Sequence, residues 1–255
     1  MHGIVEQGRA GFAQALAAEW TKLRTVRSAL WTLAGMAASV LGIAVFVGAT
    51  GSLQPDDTVL GGSLTGATFG LLVGASVGVL VISRDYAAGT IGATLMACPR
   101  RGVVLAAKAT VTAAVLFAVA LATCFLAWQV GTVMLPDGYA PGAPMPALLG
   151  VALCFSMTGL AGLAVGTVLR HPAGAITTMA AALLLPVMLG PLLGGWERWV
   201  AGGSPVAALQ KLSQSSDAAP DAVGSLGAWP SLWLVCGYGL VALVGAALVF
   251  RRRDA

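Results

Sequence analysis

Charged side chains are scarce in this chain of 255 residues, where Asp, Glu, Lys and Arg together make up 9%. A soluble domain carries about 25% of such residues. Hydrophobic residues reach 58%, and the mean hydropathy is +0.87. This composition excludes an ordinary soluble domain, because a buried soluble core would need polar helix faces that the long apolar runs lack.

Residues that bind metals or form disulfides are few and are not spaced for either role. The two histidines, His2 and His171, lie outside the apolar runs, which excludes a histidine-based metal or proton-relay site in the membrane. The cysteines lack metal-ligand spacing and are predicted to be small apolar fillers. They are Cys98, Cys124, Cys154 and Cys236.

Two motifs that would indicate catalysis are absent or incomplete. No G-x-x-x-x-G-K-[ST] phosphate-binding loop occurs, since none of Lys22, Lys108 and Lys211 has that glycine context. Residues 74–78 fit the G-x-S-x-G pattern of serine hydrolases, but that pattern requires a strand-to-helix turn and a histidine partner. The sequence therefore predicts no catalytic, cofactor-binding or metal-binding residue, and the protein is not expected to be an enzyme.

Six long apolar runs are the main feature that is present. A spanning helix needs about 20 predominantly apolar residues. The third run exceeds the length of a span, so we expect it to tilt or to begin as an interfacial helix. The chain is predicted to be an all-α membrane protein with a single transmembrane domain over residues 1–255. The runs cover approximately 29–50, 63–83, 105–135, 147–169, 173–193 and 230–250.

Ionisable residues are missing from all six predicted membrane cores, where Gln129 is the most polar side chain. Ion-coupled carriers commonly place ionisable groups at the membrane midplane, so the sequence shows no evident ion-coupling site. Backbone carbonyls at a broken helix are an alternative, because Pro186 and Pro191 interrupt the fifth run. We favour a structural kink at these prolines.

Basic residues are unequally distributed between the two sides of the predicted spans. Twelve of the fourteen Lys and Arg residues fall on the side of the N-terminus, and only Arg198 and Lys211 fall on the other. Because cytoplasmic flanks retain Lys and Arg, both termini are expected in the cytoplasm, with residues 51–62, 136–146 and 194–229 outside. The first run is too long for a signal peptide and is expected to be retained. The basic side is expected to face anionic lipids of the cell membrane, without a nucleic-acid partner.

A separate amphipathic helix is predicted over residues 10–28, before the first run. Lys22 and Arg24 flank its apolar arc, which suits a helix that lies in the membrane interface. Glu19 falls inside the arc and is expected to pair with a cation such as Lys22 at i+3. A general membrane-surface helix and a specific docking helix both remain open. The two faces are formed by apolar Phe12, Leu16, Trp20 and Leu23 and by polar Gln14, Thr21 and Thr25.

Glycines recur every four residues along the second run. In lipid, such a stripe of small residues lets another helix approach closely, so it is predicted to be a helix-packing surface. A weaker glycine pattern occurs over residues 159–166 of the fourth run. The five glycines of the second run are Gly62, Gly66, Gly70, Gly74 and Gly78.

Only one predicted inner loop is large, and it runs from Arg84 to Lys108. The segment is amphipathic, closed by a proline and rimmed with charge, as expected for a short helix that lies against a soluble partner. An ordinary positively charged inner loop is the alternative.

At this loop the chain resembles the membrane subunit of a type-2 ABC transporter, which is the permease half of an ATP-driven exporter. The resemblance covers nearly the whole chain. Residues 84–108 look like the family's coupling loop, in which an acidic residue is followed by Gly-Thr, Pro-Arg and Lys. Residues 196–212 and 250–254 resemble its extracellular region and its basic C-terminus. The part that looks like the family's elbow helix includes Glu19, Trp20, Lys22, Arg24 and Arg27.

Two departures from the family are visible: Asp85 stands where Glu is more usual, and the chain carries no large outer domain. The resemblance implies six transmembrane helices, an elbow helix and a cytoplasmic coupling helix within residues 84–104, between the second and third spans. ATP and Mg would be bound by a separate ATPase subunit, since this chain has no phosphate-binding loop. Residues implied in coupling to that subunit are Arg84, Asp85, Tyr86, Gly89, Thr90, Pro99, Arg100 and Arg101.

The resemblance also implies a dimer, formed with a second copy or with a similar permease, whose two-fold axis carries the translocation path. Two other classes of function fit the same sequence, namely an ion-coupled carrier or channel and a non-transporting scaffold or sensor subunit. The missing midplane charges disfavour the first of these, and the charged inner loop disfavours the second. An apolar path would suit efflux of lipids, hydrophobic drugs or antibiotics, or amphipathic peptides.

Overall fold

Helices joined by turns make up the fold, and no strand occurs in the residues that the structure describes. The structure is a computed structural model that describes residues 11–54, 56–87, 89, 101–135, 138–192 and 194–252. In chain order its α-helices are α1 (Phe12–Thr25), α2 (Arg27–Thr50), α3 (Val59–Ser63), α4 (Ala67–Ala87), α5 (Arg101–Met134), α6 (Pro144–Leu169), α7 (Pro172–Leu189), α8 (Glu197–Val200), α9 (Pro205–Ser213), α10 (Pro220–Val223) and α11 (Ala228–Arg252).

Six of these helices, α2, α4, α5, α6, α7 and α11, are long and apolar enough to cross a membrane. The predicted all-helical class is confirmed, and the number of candidate spans equals the predicted six. The second span begins at Ala67, later than predicted, because α3 forms a separate short helix. The hydroxyl of Thr58 caps α3 by accepting a hydrogen bond from the amide of Gly61 at 2.9 Å.

The third span, α5, begins at Arg101, four residues earlier than predicted, and contains 34 residues. At 1.5 Å per residue it is about 50 Å long, which exceeds the hydrocarbon thickness of about 30 Å. Its first turns can therefore extend beyond the hydrocarbon. Lys108, which the sequence analysis placed at the end of the inner loop, lies inside this helix.

Helices α4 and α6 form the centre of the bundle. The most apolar stretch of α6 is 72% buried and that of α4 is 56% buried, compared with 17% in α7. Helix α6 packs against α4, α5 and α11, and α4 also packs against α2. Phe155 of α6 and Met36 of α2 are both fully buried, and each lies 3.2 Å from the place where a Cβ on Gly74 would stand.

Glycines from α4 and α6 allow these two central helices to approach backbone to backbone. A Cβ added at Gly78 would overlap the carbonyl of Gly159, and one added at Gly162 would overlap the carbonyl of Ala75. Each helix thus presents a glycine to a backbone carbonyl of the other. Such contacts leave no space for even a methyl group.

The remaining glycines of the second run do not share one helix face. Gly62 lies in α3 and Gly66 lies in the turn before α4, so only three of the five glycines are in the spanning helix. Gly66 and Gly70 face α2. A Cβ added at Gly66 would lie 2.9 Å from Val40, and one added at Gly70 would lie 2.5 Å from Val40. The expectation of a single stripe assumed an unbroken helix, and the cap at Thr58 instead starts a separate turn.

Three connections meet at one end of the bundle, where the chain passes from α2 to α3, from α5 to α6 and from α7 to α11. We call this the loop end. Oδ1 of Asp57 accepts hydrogen bonds from the amides of Thr58 and Ser216, each at 3.1 Å. The side chain of Gln214 makes two hydrogen bonds with the backbone of Ala143, both at 3.1 Å. Side chains thereby tie the three connections together.

Helix α9 lies inside the loop end, although the sequence analysis placed residues 194–229 in an outer loop. It packs against α6, α7 and α11. The hydroxyl of Ser204 accepts a hydrogen bond from the amide of Ala207 at 3.1 Å, and Pro205 occupies the first helical position. The buried apolar side chains of α9 are those of Val206, Ala207, Ala208, Leu209 and Leu212.

Helix α1 lies at the opposite end, called here the terminal end, beside the last turn of α4 and the first turns of α5. The backbone leaves helical geometry at Val26, with φ −84° and ψ 105°, and continues as α2. Only part of the predicted apolar face of α1 is turned to the bundle. Glu19 and Leu23 are buried, whereas Phe12 and Trp20 are 46% and 48% exposed.

Candidate functional site

A buried lysine is the centre of the polar contacts at the terminal end. Lys108 is 2% exposed and lies two turns into α5. Its Nζ is 2.6 Å from Oε2 of Glu19 and 2.6 Å from Oδ2 of Asp85. A buried ammonium is tolerated only where it is paired and hydrogen-bonded; Lys108 donates a hydrogen bond to Glu19 and forms an ion pair with Asp85.

A second lysine closes these contacts into a cluster of four alternating charges. Nζ of Lys22 is 3.1 Å from Oε1 of Glu19 and 3.8 Å from Oδ2 of Asp85. We call Glu19, Lys22, Asp85 and Lys108 the charge cluster. Two cations and two anions make it neutral, and each carboxylate contacts both lysines. The predicted pairing of Glu19 with Lys22 is confirmed.

The charge cluster joins three helices that are distant in sequence. Glu19 and Lys22 are three residues apart on α1 and therefore share one face of that helix. Asp85 comes from the last turn of α4, and Lys108 comes from α5, 89 residues after Glu19. Helices α4 and α5 flank residues 88–100, so the cluster connects α1 to both sides of the segment in which the coupling loop is predicted.

The residues that precede this segment point into the bundle more than the sequence suggested. Asp85 is 9% exposed and contacts Lys108, so its carboxylate is not presented on a loop surface for docking. Tyr86 is half-buried, and the guanidinium carbon of Arg170 lies 5.1 Å from the centre of its aromatic ring. This cation–π contact links α4 to the turn between α6 and α7. Arg84 is half-buried in the last turns of α4.

The remaining coupling residues are distributed around the loop itself. Gly89 has φ +64°, a conformation that favours glycine, and its amide donates to the carbonyl of Tyr86 at 3.2 Å. Arg101 is the first residue of α5. Residues 90–100, with Thr90, Pro99 and Arg100 among them, lie outside the described residues, and so does the predicted coupling helix.

Sequence reasoning missed Lys108 because it assigned that lysine to the inner loop and found no ionisable residue in any span. Two signals could have identified it. Lys108 follows Arg101 within an uninterrupted helical stretch that starts soon after Pro99, and Glu19 stands in the apolar arc of α1 without a reason to face lipid. An acid and a base, each misplaced in an apolar setting, are candidates to pair.

The exposed residues of α1 complete the terminal end. Trp20, Arg24 and Arg27 are all exposed around the bend between α1 and α2. Among the residues that the structure describes, no three His, Cys, Asp or Glu side chains come together as metal ligands would. Cys124, Cys154 and Cys236 are buried with free thiols.

No family model matches the chain, and no curated protein matches it. The geometry of the terminal end, together with the residues of the inner loop, is therefore the basis for a functional proposal.

Proposed function

We propose that the chain is the permease subunit of an ATP-driven exporter of the type-2 ABC class. It would form a substrate path across the cell membrane as a dimer and would be driven by a separate ATPase subunit. The observation that supports this most is the charge cluster, which ties an amphipathic N-terminal helix to the two spans that flank the predicted coupling loop.

The position of α1 suits a helix at the inner membrane interface. Leu23 and Glu19 face the bundle, whereas Phe12 and Trp20 are exposed where lipid would lie. Exposed Arg24 can reach headgroups at the same level. Together with the excess of Lys and Arg at the terminal end, this favours a cytoplasmic terminal end and a cytoplasmic location of both termini.

The inner loop suits transmission of force from a soluble partner. Residues 88–100 join α4 to α5 along the chain, so force on this segment would be passed to the ends of these two helices. Arg100 and Arg101 would supply positive charge for contact with the partner. Because the chain lacks a phosphate-binding loop, ATP and Mg would be held by that partner.

The unequal burial of the spans is consistent with a dimer. Helices α2, α7 and α11 have buried fractions of 28%, 17% and 28%, so large parts of their surfaces are open to lipid or to a second copy. A closed two-fold pair could enclose a path between two such surfaces, whereas the tightly packed α4 and α6 leave no room for one inside a single protomer.

One observation favours a second candidate, an ion-coupled carrier. Lys108, Glu19 and Asp85 form a buried ionisable group of the kind that proton-coupled carriers use, which the sequence analysis did not anticipate. The cluster lies at one end of the bundle, beside the interfacial helix α1, rather than at the midplane. This position suits attachment of α1 better than passage of an ion.

The energy source distinguishes the two candidates. Inverted membrane vesicles that contain the chain and its native membrane partners would be tested for uptake of a panel of fluorescent amphipathic dyes. The exporter proposal expects uptake that needs ATP, is blocked by vanadate and persists when a protonophore removes the proton gradient. Uptake that needs the gradient but not ATP would establish the carrier and overturn the proposal.

A further inference from the structure

We infer that the charge cluster is a mechanical joint that makes α1 move together with the adjoining ends of α4 and α5, with Lys108 as its positioning residue. The role of this joint in transport rests on the proposed function. The attachment of α1 to the bundle by the charge cluster does not rest on it and can be tested in the chain alone.

Apolar contacts hold α1 only weakly. Leu23, at 8% exposure, is the one buried apolar side chain of the helix, and Leu16 is partly buried. The other buried side chain is Glu19, which is a charged group. Since burial of one or two leucines gives little positional specificity, the polar contacts of Glu19 must determine where α1 sits on the bundle.

The cluster is suited to hold three helices in a fixed arrangement. Lys108 is the only member that reaches both carboxylates at 2.6 Å, and it does so from a rigid position inside α5. Moving either α1 or α4 away from α5 would break one of the two short contacts of the buried Lys108 ammonium. That outcome is costly, so α1 and the end of α4 are held to α5 as one body.

The joint also has a weaker side, at Lys22. Its contact with Asp85 is longer, at 3.8 Å, and its side chain is 40% exposed. Water can therefore replace the Lys22 contacts, whereas it cannot reach Lys108. We expect the cluster to tolerate changes at Lys22 and to fail when Lys108 is changed.

The first experiment measures the attachment of α1 in the chain alone. Spin labels on cysteines at the exposed positions Thr21 of α1 and Thr110 of α5, in an otherwise cysteine-free chain in lipid nanodiscs, report the distance between the two helices. We expect one narrow distance distribution in the parent chain. Glu19→Lys or Lys108→Glu alone should broaden it and shift it to longer distances, because each places like charges in contact.

The decisive variant is the paired exchange of both ion pairs, Glu19→Lys with Lys108→Glu and Lys22→Glu with Asp85→Lys. It reverses every charge of the cluster, so each acid still contacts two bases and the narrow distribution should return. Lys22→Met should leave the distance distribution unchanged. Arg24→Glu is a charge control on the same helix and should also leave it unchanged. If the single variants fail to insert, Glu19→Gln is the milder test, and it should also broaden the distribution.

The second experiment measures coupling in a complex with the co-purified ATPase subunit. A cysteine at Val133, which is 84% exposed near the loop end, would be labelled with a thiol reagent before and after trapping with ATP and vanadate. In the parent chain trapping should change the labelling rate. The single variants should keep the ATPase subunit but lose this change by about tenfold, and the paired exchange should restore it.

The outcomes separate the two claims. If the single variants leave the distance between α1 and α5 unchanged, or if the paired exchange restores nothing, the cluster is not the joint. If the joint is present but no ATPase subunit co-purifies, the proposed function fails while the attachment of α1 stands. If the variants release α1 and trapping still changes the labelling of Val133→Cys, the joint does not transmit the motion.

Discussion

At the scale of single residues, the terminal end depends most on Lys108. Removing two charges from water costs several kcal/mol per ion, and their mutual attraction returns this only when contacts are short and complete. The two contacts of Lys108 are short, at 2.6 Å each. A paired cluster can therefore be nearly neutral in its net contribution to stability, while loss of one member is strongly destabilising.

Substitution of Lys108 tests whether losing one member of the cluster costs more stability than removing the charges of several members together. We expect Lys108→Met to lower the stability of the protein by about 3–5 kcal/mol, because Glu19 and Asp85 would each lose their shortest contact with a cation. The loss would be measured as a lower thermal unfolding temperature in detergent. The neutral combination of Glu19→Gln, Asp85→Asn and Lys108→Met should recover most of it. An equal loss in both variants would show that the shape of Lys108, rather than its charge, is what matters.

A second residue-scale prediction concerns Asp57 at the loop end. Desolvation by burial raises the pKa of Asp57, and hydrogen bonds from the amides of Ser216 and Thr58 oppose this only in part. Since the folded-state pKa lies above the unfolded value of about 3.9, stability is greatest below the unfolded pKa and decreases as pH rises through the folded pKa. Asp57→Asn keeps the accepting oxygen and removes the charge.

Thermal unfolding in detergent between about pH 4 and pH 7 would measure the effect. The advantage of Asp57→Asn over the parent chain should increase as pH rises. Asp57→Ala is the matched control, because it removes both the charge and the two hydrogen bonds and should be less stable than Asp57→Asn at every pH. An advantage of Asp57→Asn that decreases towards pH 7 would contradict the assigned cause.

At the scale of helices, the apolar runs predicted the number and approximate positions of the candidate spans, because each run by itself is long enough to cross the hydrocarbon of a membrane. Helix α9 could not be predicted as buried, since nine residues are too few for a span and its burial depends on space left among α6, α7 and α11. The short helix α3 was missed because its N-cap, Thr58, lies outside the apolar run.

Only one contact of the charge cluster could be predicted from the sequence, because only that contact is local. Glu19 and Lys22 are three residues apart, so their pairing follows from helical periodicity. The contact between Glu19 and Lys108 spans 89 residues and depends on how α1 folds back against α5. No local pattern carries that information.

The glycine contacts between α4 and α6 give the element-scale prediction. Gly78→Ala should strongly reduce the amount of folded protein extracted as a single species, because the added Cβ would overlap the carbonyl of Gly159. Gly35→Ala is the matched control, since nothing lies within 4 Å of its Cβ position on α2. Size-exclusion chromatography of both variants would measure the outcome. Equal yields of both would show that α4 and α6 can separate without loss of the fold.

At the scale of the whole molecule, we propose that the distribution of charge sets the orientation in the membrane. In the sequence, twelve of the fourteen basic residues fall on the side of the N-terminus, and Arg198 and Lys211 fall on the other. Burial lowers the pKa of Lys211, whose Nζ has a hydrogen bond to the Ser231 hydroxyl at 3.3 Å. We propose a cytoplasmic terminal end, because cytoplasmic flanks retain basic residues.

Cysteine labelling in intact cells tests this orientation. In a cysteine-free chain, Leu95→Cys should be protected from a membrane-impermeant thiol reagent and should react once the cells are opened. Ala219→Cys, an exposed position at the loop end, should react in intact cells. The reverse pattern would invert the topology and place the charge cluster on the outer side, where a cytoplasmic ATPase subunit could not act on it.

Whether the chain is an ABC permease is decided by the amount of ATPase subunit that co-purifies with the tagged chain from native membranes. We expect a stoichiometric ATPase subunit with the parent chain and about tenfold less with Arg100→Glu combined with Arg101→Glu, because reversed charges would repel at a partly desolvated contact. Arg251→Glu with Arg252→Glu makes the same change of charge at the same end, and it should retain the subunit. Absence of any ATPase from the parent preparation, or equal amounts with both double variants when all chains are correctly inserted, would contradict the claim.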